Sequence, residues 1–215
     1  MLGSPLKALQ IDPPFQKFFF IDIDEDKIDT LREAVGDRQD VEIHAGDANV
    51  VLLNKVFPHV SYKQYWRALC LLDPYGLHLN WEVVQTAGQM GTIDILLNFP
   101  VMDMNRNVLW HNPDKVAAED IERMTSFWGD ESWRDVAYKA DGMLFEDMVQ
   151  KQNNQTIADA FCRRLRDVGG YEHVSTPLPM QNSSGATVYY LMLASAKSVA
   201  VKIMNKIFNK YKDRK

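Results

Sequence analysis

The stretch Leu71-Leu72-Asp73-Pro74-Tyr75-Gly76 decides how this chain is read. The apolar run from Ala68 to Leu72 predicts a strand, and it stops at a carboxylate, a rigid proline, an aromatic ring and a glycine. In an open α/β sheet, ligand sites lie beyond the carboxyl ends of the strands. An acceptor beside an aromatic surface at that edge can hold a planar amine, such as the exocyclic group of a nucleobase. The same four residues also describe an ordinary Asp-Pro turn after a strand, and on the tetrapeptide alone that plainer reading is the better one. The order of the surrounding segments changes the balance.

Upstream, Lys17 to Ile23 is an apolar run rich in Phe and Ile and predicts a buried strand. Asp24 suits the cap of a following helix, with Glu25, Asp26 and Asp29 near its positive end, Ile28, Leu31 and Val35 at helical spacing, and Gly36 as the stop. Val41 to His44 predicts a short strand ending at Ala45-Gly46-Asp47, then a helix from about Asn49 that breaks near Pro58. Downstream of the Asp73 turn, Asn80 to Gln89 predicts a helix closed by Gly88 or Gly91, and Thr92 to Phe99 another strand, ending in Asn98-Phe99-Pro100. Residues 103–149 are polar, rich in Trp and Met, and predicted helical in pieces. Gln155 to Val168 predicts a helix ending at Gly169-Gly170. Tyr171 to Leu178 and Ala186 to Ala194 predict a hairpin across Gln181-Asn182-Ser183-Ser184-Gly185. A last helix, Ser195 to Tyr211, places Val199, Ile203, Ile207 and Phe208 on one side. This alternation predicts an α/β fold: a Rossmann-like, mostly parallel sheet with a C-terminal antiparallel hairpin. The expected organisation is a single domain over 1–215, with 103–149 as a helical insert or substrate-facing region.

Composition narrows the classes. The chain has 215 residues, 46% hydrophobic and 25% charged, an ordinary balance for a globular protein with a sizeable core. The net charge of -5 argues against a chain that binds polyanions over its whole surface. Local basic patches stand at Arg163-Arg164-Leu165-Arg166 and from Lys206 to Lys215, and solvated helix faces explain both. Cys70 and Cys162 offer neither a disulfide framework nor a zinc spacing and fit a reducing, cytoplasmic setting. No apolar run suits a bilayer span, and the start lacks the pattern of a signal peptide, so no membrane partner is expected. The histidines, His44, His59, His78, His111 and His173, show no metal-ligand spacing, and no metal is expected. Neither a Gly-x-Ser-x-Gly elbow nor a phosphate-binding P-loop occurs. Trp110, Trp128 and Trp133 could stack on a base, but tryptophan at helical spacing is more often core.

Three successive strands end at acidic residues: Asp22, Asp47 and Asp73. Parallel strands joined by right-handed crossovers would bring their carboxyl ends to one rim. Asp22 there could accept both hydroxyls of a ribose, Asp47 an exocyclic amine, and Asp73 with Tyr75 would form the third point. Strand-end Asp residues also cap helices, which is the preferred reading for Asp24; for the set of three, function is favoured. His78, just past the turn, could touch a substrate or be an ordinary loop residue.

Phe20-Ile21-Asp22-Ile23-Asp24, His44-Ala45-Gly46-Asp47-Ala48 and Asp73-Pro74-Tyr75-Gly76, in this order, resemble the class I S-adenosylmethionine-dependent methyltransferase fold from its second strand onward. The last of these is similar to the amino-methyltransferase motif of an acidic or amide residue, two prolines and an aromatic. Only one proline stands here, as in the motif of tRNA guanine-N2 methyltransferases. Gly3-Ser4-Pro5-Leu6, the Phe20-Ile21-Asp22 run and Leu72-Asp73-Pro74-Tyr75-Gly76 together look like the three-Cys-motif partner proteins, a bacterial family with a methyltransferase-like domain named for a neighbouring radical-SAM-like protein. The resemblance covers most of the chain and is weakest from Asp103 to Val149. It implies S-adenosylmethionine as cofactor, with Gly3, Asp22, Asp47 and Ala48 as its contacts. It implies Asp73, Pro74 and Tyr75 as the catalytic turn, and Tyr75, Gly76 and His78 against the substrate.

The chain departs from that pattern at its start. The family's first strand and Gly-rich loop would precede Gly3-Ser4-Pro5, and that strand would lie between Lys17–Ile23 and Arg67–Leu72. Without it, the expectation is an N-terminally truncated fold that binds the cofactor weakly or not at all. Two functions follow. One is a methyltransferase-like protein acting on an exocyclic amine of nucleic acid. The other is a non-catalytic module of the same fold that works with a three-Cys-motif protein.

Overall fold

The computed structural model describes residues 3–140 and 149–212, which group into two compact units, Met1–His59 and Val60–Lys215. Residues 141–148 of the expected insert and the last three residues of the basic tail lie outside the described residues.

The first unit opens with a short helix α1 (Ser4–Ala8), which carries Pro5 in its first turn, where a missing N–H costs nothing. Strand β1 (Phe18–Asp22) leads to helix α2 (Glu25–Val35). Asp24 caps that helix by accepting from the Lys27 N–H, Glu25 and Asp26 sit at its positive end, and Gly36 at φ 64° ends it, as the sequence predicts. Strand β2 (Val41–Ala45) pairs in parallel with β1, Phe18 opposite Val41 and Asp22 opposite Ala45. Helix α3 (Ala48–Val51) then runs through a π turn, Leu52–Val56, into a 3₁₀ turn, Phe57–His59. The expected break near Pro58 is therefore a tightening of the helix.

The second unit is built on a five-stranded mixed sheet. After a 3₁₀ turn at Tyr62–Gln64 comes strand β3 (Ala68–Leu72), then helix α4 (Trp81–Met90), closed by Gly91 in the left-handed conformation, and strand β4 (Ile93–Phe99). Helices α5 (Val101–Asn107), α6 (Ala118–Trp128) and α7 (Trp133–Ala137) follow, with a 3₁₀ turn at Pro113–Lys115. The short strands β5 (Tyr138–Ala140) and β6 (Val149–Lys151) form their own antiparallel pair. Helix α8 (Asn154–Asp167) is capped by Asn153, which accepts from the Thr156 N–H. Strands β7 (His173–Val174), β8 (Leu178–Gln181) and β9 (Thr187–Ser195) lead to the last helix, α9 (Ser198–Lys212).

Strand β3 pairs in parallel with β4, while β9 is antiparallel to β4, β7 and β8. In this sheet β9 alone runs against the other strands. The apolar alternation of β4 explains its central place: Ile93, Ile95, Leu97 and Phe99 are all buried. Around Phe99 gathers an aromatic core in which Phe161 of α8 lies 4.8 Å from Phe99, 5.5 Å from Phe127, 5.3 Å from Trp128 and 5.9 Å from Trp81 between ring centres. Trp128 and Trp133 are thus core residues, while Trp110 is 41% exposed.

Three sequence expectations need correction. The strands before Asp22 and Asp47 pair in a sheet of their own and the strand before Asp73 belongs to another, so the three carboxylates do not end one common sheet. The continuous strand Tyr171–Leu178 is interrupted over 175–177, where Pro177 has no N–H to give a ladder. Ser175 bridges the gap: its N–H donates to the Leu193 carbonyl and its hydroxyl accepts from the Leu193 N–H. The hairpin partner of β9 is consequently β8, which runs to Gln181. On α9, Phe208 turns inward whereas Val199, Ile203 and Ile207 are 60%, 55% and 40% exposed, so they do not share its side. The helix starts at Ser198 because Ser195 still belongs to β9, where its hydroxyl accepts from the Lys197 N–H. No helix among the described residues is long and apolar enough to cross a membrane.

Candidate functional site

The Asp73 turn follows from the pairing of β3 and β4. Leu72 lies opposite Leu97, so the next residues, Asp73 and Asn98, emerge side by side at the carboxyl ends of two parallel strands. The Asn98 side-chain amide donates to Asp73 Oδ1 at 2.5 Å. The other amide atom, Asn98 Oδ1, is buried without a partner. Asp73 itself is exposed, and Tyr75 is 90% exposed, with its ring 6.2 Å from that of His78 at an interplanar angle of 27°. Gly76 turns the chain at φ 58°, a conformation open to glycine. The space a side chain would need there is filled by Asp103, whose Oδ2 would stand 2.6 Å from an added Cβ. Asp103 is in turn held by Asn107, whose amide donates to Oδ1 at 2.8 Å. The structure therefore gathers Asp73, Pro74, Tyr75, Gly76 and His78 on one turn, and adds Asn98, Asp103 and Asn107 around it.

The first unit carries the other predicted residues. Asp22 and Asp47 lie at the same end of the β1–β2 pair, where the Gly46 N–H donates to the Asp22 carbonyl. Asp22 Oδ1 accepts from the Asp24 N–H at 3.0 Å, and Lys27 Nζ lies 4.0 Å from Oδ2. Asp47 caps α3, its Oδ1 accepting from both the backbone and the side-chain amide of Asn49. Ala48 opens α3 and is exposed. Gly3 adopts φ -66°, ψ 165°, and an added Cβ would meet nothing closer than 3.7 Å, so its place makes no demand for glycine. Asp22 and Asp47 are thus acceptors of the kind a ribose diol or an amine takes. Gly3 provides no cradle that a Cβ would fill.

An open groove of about 630 Å³ lies between α4 and α6, walled by Trp81, Gln85, Glu82, Glu122 and Glu131. None of the predicted site residues lines it, and its carboxylates suit no phosphate backbone. Among the described residues no group of His, Cys, Asp and Glu side chains is arranged to hold a metal ion. Burial pushes the Cys162 thiol up to about 12, and its sulfur faces the Ser175 carbonyl at 3.8 Å inside the core. A thiol so placed is a packing group, not a nucleophile.

Reading the residues in order pointed to the turn but not to its supports. Asn98 was visible as the polar end of an apolar strand, and its link to Asp73 follows once the two strands are taken as neighbours in register. Asp103 and Asn107 carried no motif; their spacing of four on a helix was the available signal. Compared with models of known protein families, with curated proteins and with solved structures, the chain matches none.

Proposed function

We propose that this chain is an S-adenosylmethionine-dependent, methyltransferase-like protein that acts on an exocyclic amine of nucleic acid. One observation carries the reading: an anchored carboxylate, Asp73, stands at the carboxyl end of a parallel strand beside an exposed aromatic, Tyr75, on a glycine turn. Tyr75 offers a face on which a base can stack. Asp73 and the Pro74 carbonyl would accept from the amine, and this fixes the direction of its lone pair. Asp22, Asp47, Ala48 and Gly3 are the residues that would hold the cofactor, which when bound supplies an electrophilic methyl group. The likeness to three-Cys-motif partner proteins points the same way.

A second reading is favoured by the way Asp22 and Asp47 spend one oxygen each on local backbone amides. If those bonds are their whole purpose, the chain is a non-catalytic module of this fold that works beside a radical-SAM-like three-Cys-motif protein.

Calorimetric titration of S-adenosylmethionine, with transfer of labelled methyl to RNA or DNA, separates the two. The enzyme reading expects Asp73→Ala to abolish transfer while cofactor affinity stays within about twofold, and Asp22→Ala to weaken cofactor binding about tenfold or more. Equal loss of both properties in Asp73→Ala rejects the assignment of Asp73. Absence of cofactor binding in the unmodified chain favours the module.

A further inference from the structure

We infer that Asn98 is a positioning residue: its amide fixes one oxygen of Asp73 so that the other is presented to an amine-bearing heterocycle stacked on Tyr75. The inference rests on the reading of the Asp73 turn as an amine-holding site.

The argument starts from strand chemistry. Position 98 lies on the half-buried face of β4, opposite to the face that buries Leu97 and Phe99, where a polar side chain is admitted. The amide there nonetheless leaves its oxygen buried with no partner. A buried unpaired carbonyl oxygen opposes folding, because the water it gave up is not replaced. Among the described hydrogen bonds, the side chain of Asn98 makes one, to Asp73 at 2.5 Å. The one thing the amide achieves is to hold that carboxylate. A residue that weakens its own strand in order to fix a neighbour is the pattern of a working site.

Geometry says what is being fixed. Asn98 belongs to β4 and Asp73 is the first residue past β3, one rung beyond the Leu72–Leu97 pair, so the amide anchors the start of the turn to the sheet. Asp103, held by Asn107, packs against the turn at Gly76. With Oδ1 engaged by Asn98, the exposed carboxylate has Oδ2 to offer, on the same turn as the exposed Tyr75. An exocyclic amine lying in the plane of a stacked base would meet an oriented acceptor instead of one free to rotate, and orientation is where such a site gains selectivity.

The test uses guanosine and adenosine monophosphates as amine-bearing probes and inosine monophosphate, which lacks the exocyclic amine, as the control. Their affinities for the full chain are measured by equilibrium titration for the unmodified protein, Asn98→Leu, Asp73→Ala and the double variant. The inference expects the unmodified chain to prefer the amine-bearing nucleotides. It expects Asn98→Leu to lose that preference about tenfold while its unfolding midpoint holds or rises. The double variant should be no worse than Asp73→Ala alone, because Asn98 acts only through Asp73. Retained preference in Asn98→Leu, additive losses in the double variant, or no preference in the unmodified chain would each overturn it. If Asn98→Leu does not fold, Asn98→Ala, which removes the donor without adding a charge beside Asp73, is read in its place by the same criteria. Preference without any methyl transfer supports the clamp and rejects the methyltransferase reading, so the two fail separately.

Discussion

Gly76 shows how little freedom the turn residues have. Its φ of 58° disfavours a side chain, and Asp103 occupies the space a Cβ would enter. Gly76→Ala is expected to cost about 2 kcal/mol, part from the left-handed backbone and part from the overlap with Asp103. Denaturant unfolding of Gly76→Ala and of Gly76→Ala with Asp103→Ala separates the two parts: the second change should recover some of the loss, and no recovery would show that the carboxylate yields freely. Cys162 offers a second check on the structure at this scale. Because burial raises its thiol to about 12, the folded chain holds it protonated across the range in which thiol reagents work, and its labelling at pH 8 should track global unfolding. Fast labelling of Cys162 under native conditions would contradict the burial.

At the scale of elements, Arg164 ties three helices together. Its guanidinium lies 4.7 Å from the centre of the Trp81 ring of α4, donates to the Trp128 carbonyl at the end of α6, and pairs with Asp130 at 2.7 Å. The run Arg163-Arg164-Leu165-Arg166 suggested a solvated basic face, yet the Arg164 side chain is only 10% exposed. Arg164→Lys keeps the charge but loses the fork and the stacked plane, and about 2 kcal/mol of stability should go with them. An unfolding midpoint unchanged by that substitution would mean that the aromatic packing alone joins the helices. This region marks the boundary of what the chain discloses when read residue by residue. Strands β1 to β4 and helices α2, α4 and α8 were legible because each carries its own apolar period and a stop at Gly or a turn, with a cap at α2 as well. The β7–β8 interruption and the outward row of α9 were not, because both depend on partners distant in sequence: Ser175 on Leu193, and Phe208 on what packs beneath it. Of the candidate site, the turn was legible as a motif, while Asn98 and Asp103 acquire meaning only from the register and the path of the chain.

Over the whole molecule, the two compact units differ in how much each buries. The second owns a central strand buried on alternate residues and a cluster of five aromatic rings around Phe161. The first rests on a two-stranded parallel pair whose residues, Phe18 apart, remain at least partly exposed. A two-stranded pair with a small core is marginal in water. Exchange of the β1 and β2 amides is therefore expected to run about a hundredfold or more faster than that of β4, after correction for intrinsic rates. Acid should widen the gap. The Lys17 ammonium, 2.5 Å from Glu42 across β1 and β2, holds that carboxyl below the usual carboxylate range. A carboxyl depressed on folding adds stability above its unfolded value, and that share is lost as the pH falls through the folded one. Both side chains are partly exposed, so the contribution is modest and screened by salt. Hydrogen exchange followed by mass spectrometry from pH 7 to pH 3.5 reads this directly. Preferential loss of protection in β1 and β2 below about pH 4.5, absent in Glu42→Gln, is the expected outcome. Uniform protection across both units would instead mean that they unfold as one.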